Sequence, residues 1–497
     1  MKRTVALLLT LTACRSSPGA PEATQSATAG IHAPPLALSG HPRLWMRAAD
    51  VPRLRGWARG GNPAWIALSQ AAAHARDDMD GGKVRLDGAC VGEGGTPCEE
   101  YAELSAFLSV VAPSDKERKD WGARAVKMLM PIIDHVAGAP PDDHDPLRSR
   151  EFAVNDRSRW SGEAFALTVD WAYPYFSAAQ KKRIHDVFLR WADQSSHAEV
   201  TNNNHPEPVG VVDDPRLVAD KINVRWAGNN YYTAHARNLG LMAMALDAAD
   251  DPGGQLGAYL KSVTGAWLYV IDALLRGDAR GGLPPDGLEY GPQTYAYVAQ
   301  LLLALHTAGK DDAATWGKQA RMADNPWWKA LVAGWPHLLS PATERSESGI
   351  GTVYRPAWWG EAQDYWAPDP IDMLGPVAIY FRDRGDHATA DAAQWIAVNS
   401  APGGADALAD RVRGTDTFRR SILPFLMIDP TRKPPADPRR GTTWFAEGLG
   451  KIFQRTDWSA KATLFDFMIG WNSVDHMHDD ANTFDWYRRG EWLVKER

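Results

Sequence analysis

A mainly α-helical fold closed by a short β part is what this sequence predicts, on three observations. Between Cys98 and Ala401, apolar residues recur at three- and four-residue spacing in segment after segment, as helices with one buried stripe require. Gly and Pro clusters at 139–141, 251–254 and 283–287 separate these segments and mark short turns, so consecutive helices are expected to pack side by side as hairpins. After the proline- and charge-dense stretch 429–441 the texture changes to short, aromatic, alternating runs, which read as antiparallel strands.

The first element is a leader. Lys2 and Arg3 precede an apolar run at 5–11 and then Leu11-Thr12-Ala13-Cys14. A charged start, a short apolar core and a small-residue cleavage site make a secretory signal, too short to span a membrane. Leu-Thr-Ala-Cys resembles a bacterial lipobox, which implies a signal peptide at 1–13, cleavage before Cys14 and lipid on its sulfur; an ordinary signal peptide with a coincidental cysteine is the alternative. Residues 14–33, rich in Ser, Ala, Pro, Gly and Thr, read as a flexible tether. The chain is thus expected to be an exported bacterial lipoprotein of the periplasm, outer membrane or cell surface, touching the membrane only through its anchor. In that oxidising setting Cys90 and Cys98, which bracket a Gly-rich loop, are expected to form a local disulfide. No histidines lie close enough to them to suggest a metal site instead.

Residues 34–428 make the helical domain, with helices expected at 120–137, 160–175, 178–192, 231–249, 256–275 and 295–307. Residues 429–441 form a linker in which prolines forbid a helix. Residues 442–497 begin a β-sheet domain, with strands expected at 451–455, 463–468 and 482–487; they are too few for an independent β-sandwich, so this part reads as incomplete. The net charge of −7 argues against a nucleic-acid partner, but leaves room for an acidic polysaccharide if arginines gather in one cleft. The 22 tryptophans offer faces that stack on sugars, notably Trp327-Trp328, Trp358-Trp359 and Trp366, although core packing is the commoner use of such residues.

Several blocks, taken in order, carry a family pattern. They are His41-Pro42-Arg43-Leu44-Trp45 with Asp50-Val51-Pro52-Arg53-Leu54, and Arg159-Trp160 through Phe165 and Leu167 to Asp170-Trp171. Then come Gly228-Asn229-Asn230-Tyr231 leading into Leu239-Gly240-Leu241-Met242, and Asp286-Gly287 with Glu289, Gly291-Pro292 and Tyr295. The last are Arg455-Thr456-Asp457-Trp458-Ser459 and Asp475-His476-Met477-His478-Asp479. Over residues 41–497 this order resembles the heparinase II/III-like polysaccharide lyases, of heparinase or alginate lyase type. The resemblance implies an incomplete (α/α) toroid of helical hairpins followed by an antiparallel β-sheet domain of sandwich type, here expected to be truncated at its C-terminus.

It also implies β-elimination at a uronic acid, a reaction needing a donor to neutralise the carboxylate, a base for the C5 proton and an acid for the departing O4. Asn230 is the preferred neutraliser, with Asn229 second; either Asn could instead cap the helix that follows. Arg157, Arg159 and Arg225 are candidates for pairing with the carboxylate, or else structural arginines. Tyr231 and Glu289 belong to the same blocks and are expected beside the substrate. Tyr295 is the preferred proton donor, with Tyr290 and Tyr297 behind it, against the alternative of core tyrosines.

The preferred base is His476. Some family members carry a His directly after the Asn pair where this chain has Tyr231, and His235, one turn onward, is the substitute. His205, in the loop 201–206, is a candidate for the cleft wall. His478 matches a ligand of the structural zinc that some members bind, and Glu496 is the one acidic candidate near the end. Four ligands are usual, so no cofactor is required and any zinc site has an incomplete ligand set. Two other functions stay open: a non-catalytic glycan-binding or inactive remnant of such a lyase, and a toroid glycoside hydrolase using Glu289 and Asp286 as paired carboxylates.

Overall fold

The inner helices of this molecule are buried on nearly every side although they carry charges, and the fold is organised around that conflict. The computed structural model describes residues 40–87, 90–138, 156–196, 214–346, 351–361, 370–408, 410, 418–470, 478 and 480–495. The leader, the tether and Cys14, together with His205, His476, Glu496 and Trp366, lie outside the described residues.

The helices are α1 (Val51–Trp57), α2 (Pro63–Asp80), α3 (Cys98–Val111), α4 (Asp115–Gly138), α5 (Asp156–Ser161), α6 (Glu163–Trp171) and α7 (Ala178–Ser196). Then follow α8 (Arg216–Ala219), α9 (Lys221–Trp226), α10 (Asn230–Ala245), α11 (Gln255–Ser262) and α12 (Leu268–Arg276). The last are α13 (Gly287–Thr307), α14 (Ala313–Trp316), α15 (Trp327–Leu338), α16 (Ile371–Asp383), α17 (His387–Asn399) and α18 (Arg419–Met427).

The apolar periodicity at 256–275 corresponds to α11 and α12, joined through a π-helical turn at Val263–Trp267. The one at 160–175 is split between α5 and α6. Around the ring, α3 packs on α6, α6 on α10, α10 on α13, α13 on α16 and α16 on α18, while α18 returns to α2 and α3. Outer helices back this wall: α4 against α3, α11 against α10 and α17 against α16. This is the toroid of helical hairpins that the sequence predicts.

One end of the ring is plugged by the opening motif. The backbone amides of Arg43 and Leu44 donate to Asp170 Oδ2 at 2.9 and 2.8 Å. Trp45 Nε1 donates to the Gln300 carbonyl at 3.1 Å, and Arg43 reaches the Leu246 carbonyl at 3.2 Å. These partners sit at or near the C-terminal halves of α6, α13 and α10, whose unpaired carbonyls favour a cation.

At the other end the first turns of α3, α6, α16 and α18 meet in a buried ionic network. Glu163, in the first turn of α6, lies between Arg237 of α10, at 2.7 Å, and Arg419 of α18. Asp372, in the first turn of α16, takes Arg420 at 3.2 Å and Arg419 at 3.5 Å. Glu100 accepts the Phe418 amide at 3.2 Å. Carboxylates are stabilised at helix N-termini by the backbone dipole, but ions buried this deeply also require partners. The carboxylates of Glu100, Glu163 and Asp372 balance the guanidinium groups of Arg237, Arg419 and Arg420, leaving Glu103 of α3 as the extra acid. Its carboxyl is fully buried with no hydrogen-bond partner among the described residues. Burial, reinforced by Glu100, holds it protonated well above the usual carboxylate range.

After α18, residues 432–441 carry neither helix nor strand, and a five-stranded antiparallel meander follows: β3 (Thr443–Ala446), β4 (Lys451–Arg455), β5 (Leu464–Met468), β6 (Phe484–Arg488) and β7 (Glu491–Val494). A separate two-stranded ladder pairs β1 (Glu344–Arg345) with β2 (Thr352–Val353). The inward face of the meander carries Lys451, Phe453, Arg455, Leu464, Asp466, Asp485 and Tyr487 against the helical body. On its outward face Phe445, Ile452, Phe467 and Phe484 form one cross-strand row. Cys90 and Cys98 are joined in a disulfide just before α3.

A group whose pKa is raised by folding contributes stability that is fully present below its unfolded value and is lost as pH rises toward its folded value. For Glu103 the window therefore opens at about pH 4.3, the ordinary glutamate value. Glu103→Gln should raise the melting temperature at pH 8 and leave it nearly unchanged at pH 4, whereas Glu163→Ala should cost about 3–5 kcal/mol by removing the carboxylate that two buried guanidinium groups share. A Glu103→Gln chain that melts earlier at pH 8 would show that the carboxyl is ionised and part of the ion balance.

Candidate active site

The same face of the ring that gathers helix N-termini also gathers the polar residues expected to react. Asn229 is the N-cap of α10, its Oδ1 accepting from the Tyr231 and Tyr232 amides at 2.9 and 3.1 Å, the arrangement that satisfies a helix's first unpaired donors. Asn230 is the next residue, and its amide is not used in this way. It is fully buried, and neither its Oδ1 nor its Nδ2 has a hydrogen-bond partner among the described residues. Leaving such a group unsatisfied costs about 1–3 kcal/mol.

Arg159 is held against the neighbouring Tyr231 by α10 itself. Arg237 and Asn238 donate to the carbonyls of Arg159 and Ser158, each at 3.0 Å. The Arg159 guanidinium then stacks 4.8 Å from the ring centres of both Tyr231 and Trp160, a contact worth about 0.5–2 kcal/mol.

The facing wall is the start of α13. Gly287 has φ +83°, and a Cβ there would stand 2.4 Å from the Glu361 carbonyl oxygen, so the position requires glycine. That oxygen accepts the Leu288 and Glu289 amides at 3.0 and 2.9 Å, which leaves Glu289 and Tyr290 half-buried at the helix mouth. The Tyr290 hydroxyl is pushed up to about 12, first by burial, then by the charges of Glu289 and Glu361, against the opposing pull of Arg159. Arg159, Tyr231, Glu289, Tyr290 and Glu361 therefore form one electrostatic neighbourhood. Glu361 was not among the residues expected from sequence; its only signal was its place directly after the Trp358-Trp359-Gly360 run.

A strap ties this mouth to the sheet. Gly360 N donates to Asp480 Oδ2 at 2.6 Å and Trp358 N to Asp485 Oδ2 at 3.0 Å, while Lys451 Nζ reaches the Trp358 carbonyl at 2.9 Å and pairs with the buried Asp466 at 2.5 Å. Burial, with Asp485 nearby, raises Asp466 to about 7 despite the Lys451 charge.

Other residues expected here are committed elsewhere. Arg157 makes a two-point pair with the buried Glu99, both contacts at 2.6 Å, and also donates to the Cys90 carbonyl; it braces the disulfide region. Arg225 pairs with Asp278 at 2.8 Å. Tyr297 is buried under the Arg237 guanidinium, 4.3 Å from its ring centre. Each of these three is engaged by a carboxylate or cation far away in the chain, as the structural-arginine and core-tyrosine alternatives expect. Tyr295 is fully buried with its ring 4.8 Å from that of Trp327, and its hydroxyl has no hydrogen-bond partner among the described residues. Burial, then Asp286, pushes this hydroxyl well above the ordinary tyrosine value.

His235 is buried within α10. Asp286 is buried and accepts from Thr294 Oγ1 at 2.8 Å. His478 is exposed, and among the described residues no group of three or more His, Cys, Asp or Glu side chains is arranged to hold a metal ion. Trp327, Trp328 and Trp359 are core residues.

Neither a family model nor a curated protein matches the chain. Among solved structures it aligns with heparinase III at 9% identity and a TM-score of 0.44, over 90% of this chain and 65% of that one. It also aligns with a mutant of the heparan sulfate lyase HepC from Pedobacter heparinus at 11% identity and a TM-score of 0.44, over 80% of this chain and 48% of that one. The chain thus spans less than two thirds of the length of these structures.

Gly287→Ala should lower stability by more than Gly309→Ala, since Gly309 also has positive φ (+70°) but open space around it. The second substitution isolates the backbone cost of about 1–2 kcal/mol; the excess in the first, read from paired thermal melts, measures the clash with the strap. Equal losses would mean the strap yields.

Proposed function

We propose that this protein is a lyase of acidic, uronate-containing polysaccharides acting by β-elimination. The observation that carries the reading is Asn230: a buried amide at a helix N-terminus, without an internal partner among the described residues, beside the Arg159 and Tyr290 neighbourhood. An amide there donates to a substrate carboxylate without neutralising a basic partner, and the helix dipole favours the anion.

In this reading Asn230, helped by Arg159, spreads the charge that develops on the carboxylate as the C5 proton leaves. The C5–H electron pair forms the C4–C5 double bond, the C4–O4 bond breaks, and O4 takes a proton from Tyr290. A phenol held near 12 is protonated at neutral pH and suits the acid role. Tyr290 is preferred over Tyr295 because it stands at the mouth and not in the core. His476, which lies outside the described residues, is the proposed base; in the sequence it stands four residues before Asp480, which is bonded to Gly360 at the strap. The leader and Cys14 place the enzyme outside the cytoplasm as a lipoprotein in the same reading. A hydrolase is less well supported, since Asp286 is buried on the same helix start as Glu289 and does not face it across a cleft.

The test is ultraviolet absorbance of the unsaturated product on a panel of acidic polysaccharides. Asn230→Ala and Tyr290→Phe should each lower kcat/KM by about 10²–10⁴-fold, and His476→Ala likewise, while Tyr295→Phe should act mainly on stability. Full turnover in Asn230→Ala, or no product on any uronate with a folded chain, would sink the proposal. The pH profile should show no alkaline fall at about pH 10, where an ordinary tyrosine titrates, because the Tyr290 hydroxyl is held near 12.

A further inference from the structure

A cavity of about 560 Å³ opens where the ends of α15 and α17 meet β4 and the proline-rich connection. None of its lining residues belongs to the Asn230, Arg159 and Tyr290 neighbourhood. Its volume lies within the range of small-molecule sites, and its wall is polar.

Two arginines dominate it. Arg455 is buried, and one of its terminal nitrogens donates to the carbonyls of Pro336, His337 and Leu339 at 3.4, 3.1 and 2.8 Å, where α15 ends and its dipole favours a cation. Its Nε is buried with no hydrogen-bond partner among the described residues. Arg439 is held by the two-point contact of its outer edge with Asp437. Trp458 keeps the pair together: Arg455 lies 4.1 Å and Arg439 5.0 Å from its ring centre, and Arg439 is also 5.0 Å from Trp395.

Two like charges are therefore gathered on one indole. Burial, and then the Arg439 charge, depress Arg455 to about 10. An anion between them would relieve that repulsion. The remaining wall includes Ser340, Asn399, Ser400 and the exposed Asp406; the Ser340 hydroxyl and the Asn399 amide nitrogen also donate to the carbonyls of Ala342 and Trp395. A simple inorganic anion has no use for Asp406, whereas a ligand bearing both a carboxylate and hydroxyl groups uses the arginines and Asp406 together.

We propose that this cavity is a second glycan site, taking a sugar unit that carries a carboxylate, with Arg439 and Arg455 on the carboxylate and Asp406 among the acceptors for hydroxyl groups. The choice of an acidic sugar over another hydroxy acid rests on the proposed function; the cationic pair does not.

The experiment is a binding titration of tetraglucuronate and of its methyl ester against the full chain carrying Asn230→Ala, followed by isothermal calorimetry. Binding should persist in Asn230→Ala and weaken about tenfold or more on adding Arg439→Gln or on esterifying the ligand. Trp395→Leu provides a second variant that leaves the Arg439–Asp437 pair in place. No binding in the Asn230→Ala chain, an affinity unmoved by Arg439→Gln and Trp395→Leu, or equal affinity for the ester would each overturn the site. Turnover in the unmodified chain is read separately, so an inactive protein that binds at this cavity sinks only the lyase reading, and an active one that fails these tests sinks only the second site.

Discussion

The clamp of Arg237 and Arg419 on Glu163 is the interaction on which the rest of the structure depends. It joins α6, α10 and α18, two of them neighbours along the ring and the third the helix that closes it. Hydrophobic contact alone would seal such a ring without choosing the rotation of each helix. A charge buried to this depth tolerates little displacement, because either partner left alone costs several kcal/mol. Arg237 also fixes Tyr297 and the Arg159 carbonyl, so one guanidinium sets both the inner packing and the approach of Arg159 to the cleft.

From that clamp the placement of the proposed site follows by short steps. α10 begins two turns before Arg237, which sets the buried Asn229 and Asn230 at its N-terminus. The α13 mouth is set from the opposite side, through Glu361 and the strap that Asp480, Asp485 and Lys451 hold. The two sides of the proposed site are thus held by two frames, one of helices and one of strands. A ligand that bridges Asn230 and Tyr290 would feel any change in their relative placement.

Periodic burial made most of the helical part legible in the sequence, because the helices at 120–137, 178–192 and 231–249 each keep apolar residues in register with 3.6 residues per turn. The helix Arg419–Met427 escaped notice: it is short, opens with two arginines and contains Pro424, and only the buried acids it meets explain those arginines. Thr443–Ala446 and Glu491–Val494 were missed as edge strands too short for alternation to register. At the candidate site, the Asn pair and the tyrosines were proposed as types in a spacing. That Arg157 and Arg225 are engaged by carboxylates was not legible, since Glu99 and Asp278 lie 58 and 53 residues from them. The same holds for Glu361, whose role depends on a carbonyl and not on its own chemistry.

The stretch of prolines at 429–441 looks like punctuation between two modules, but Arg439 within it lies against Trp395 on one side and Trp458 on the other. Gly281, on the helical side, leaves no room for a Cβ against the backbone of Ala446. The seam in composition is therefore not a seam in cooperativity. An evolutionary shuffling event that swapped the C-terminal segment at those prolines would inherit a toroid with one wall of its cleft unsupported. Only a donor sheet bringing its own equivalents of Asp480, Asp485 and Lys451 could repair it, so the two parts are expected to have been handed down together.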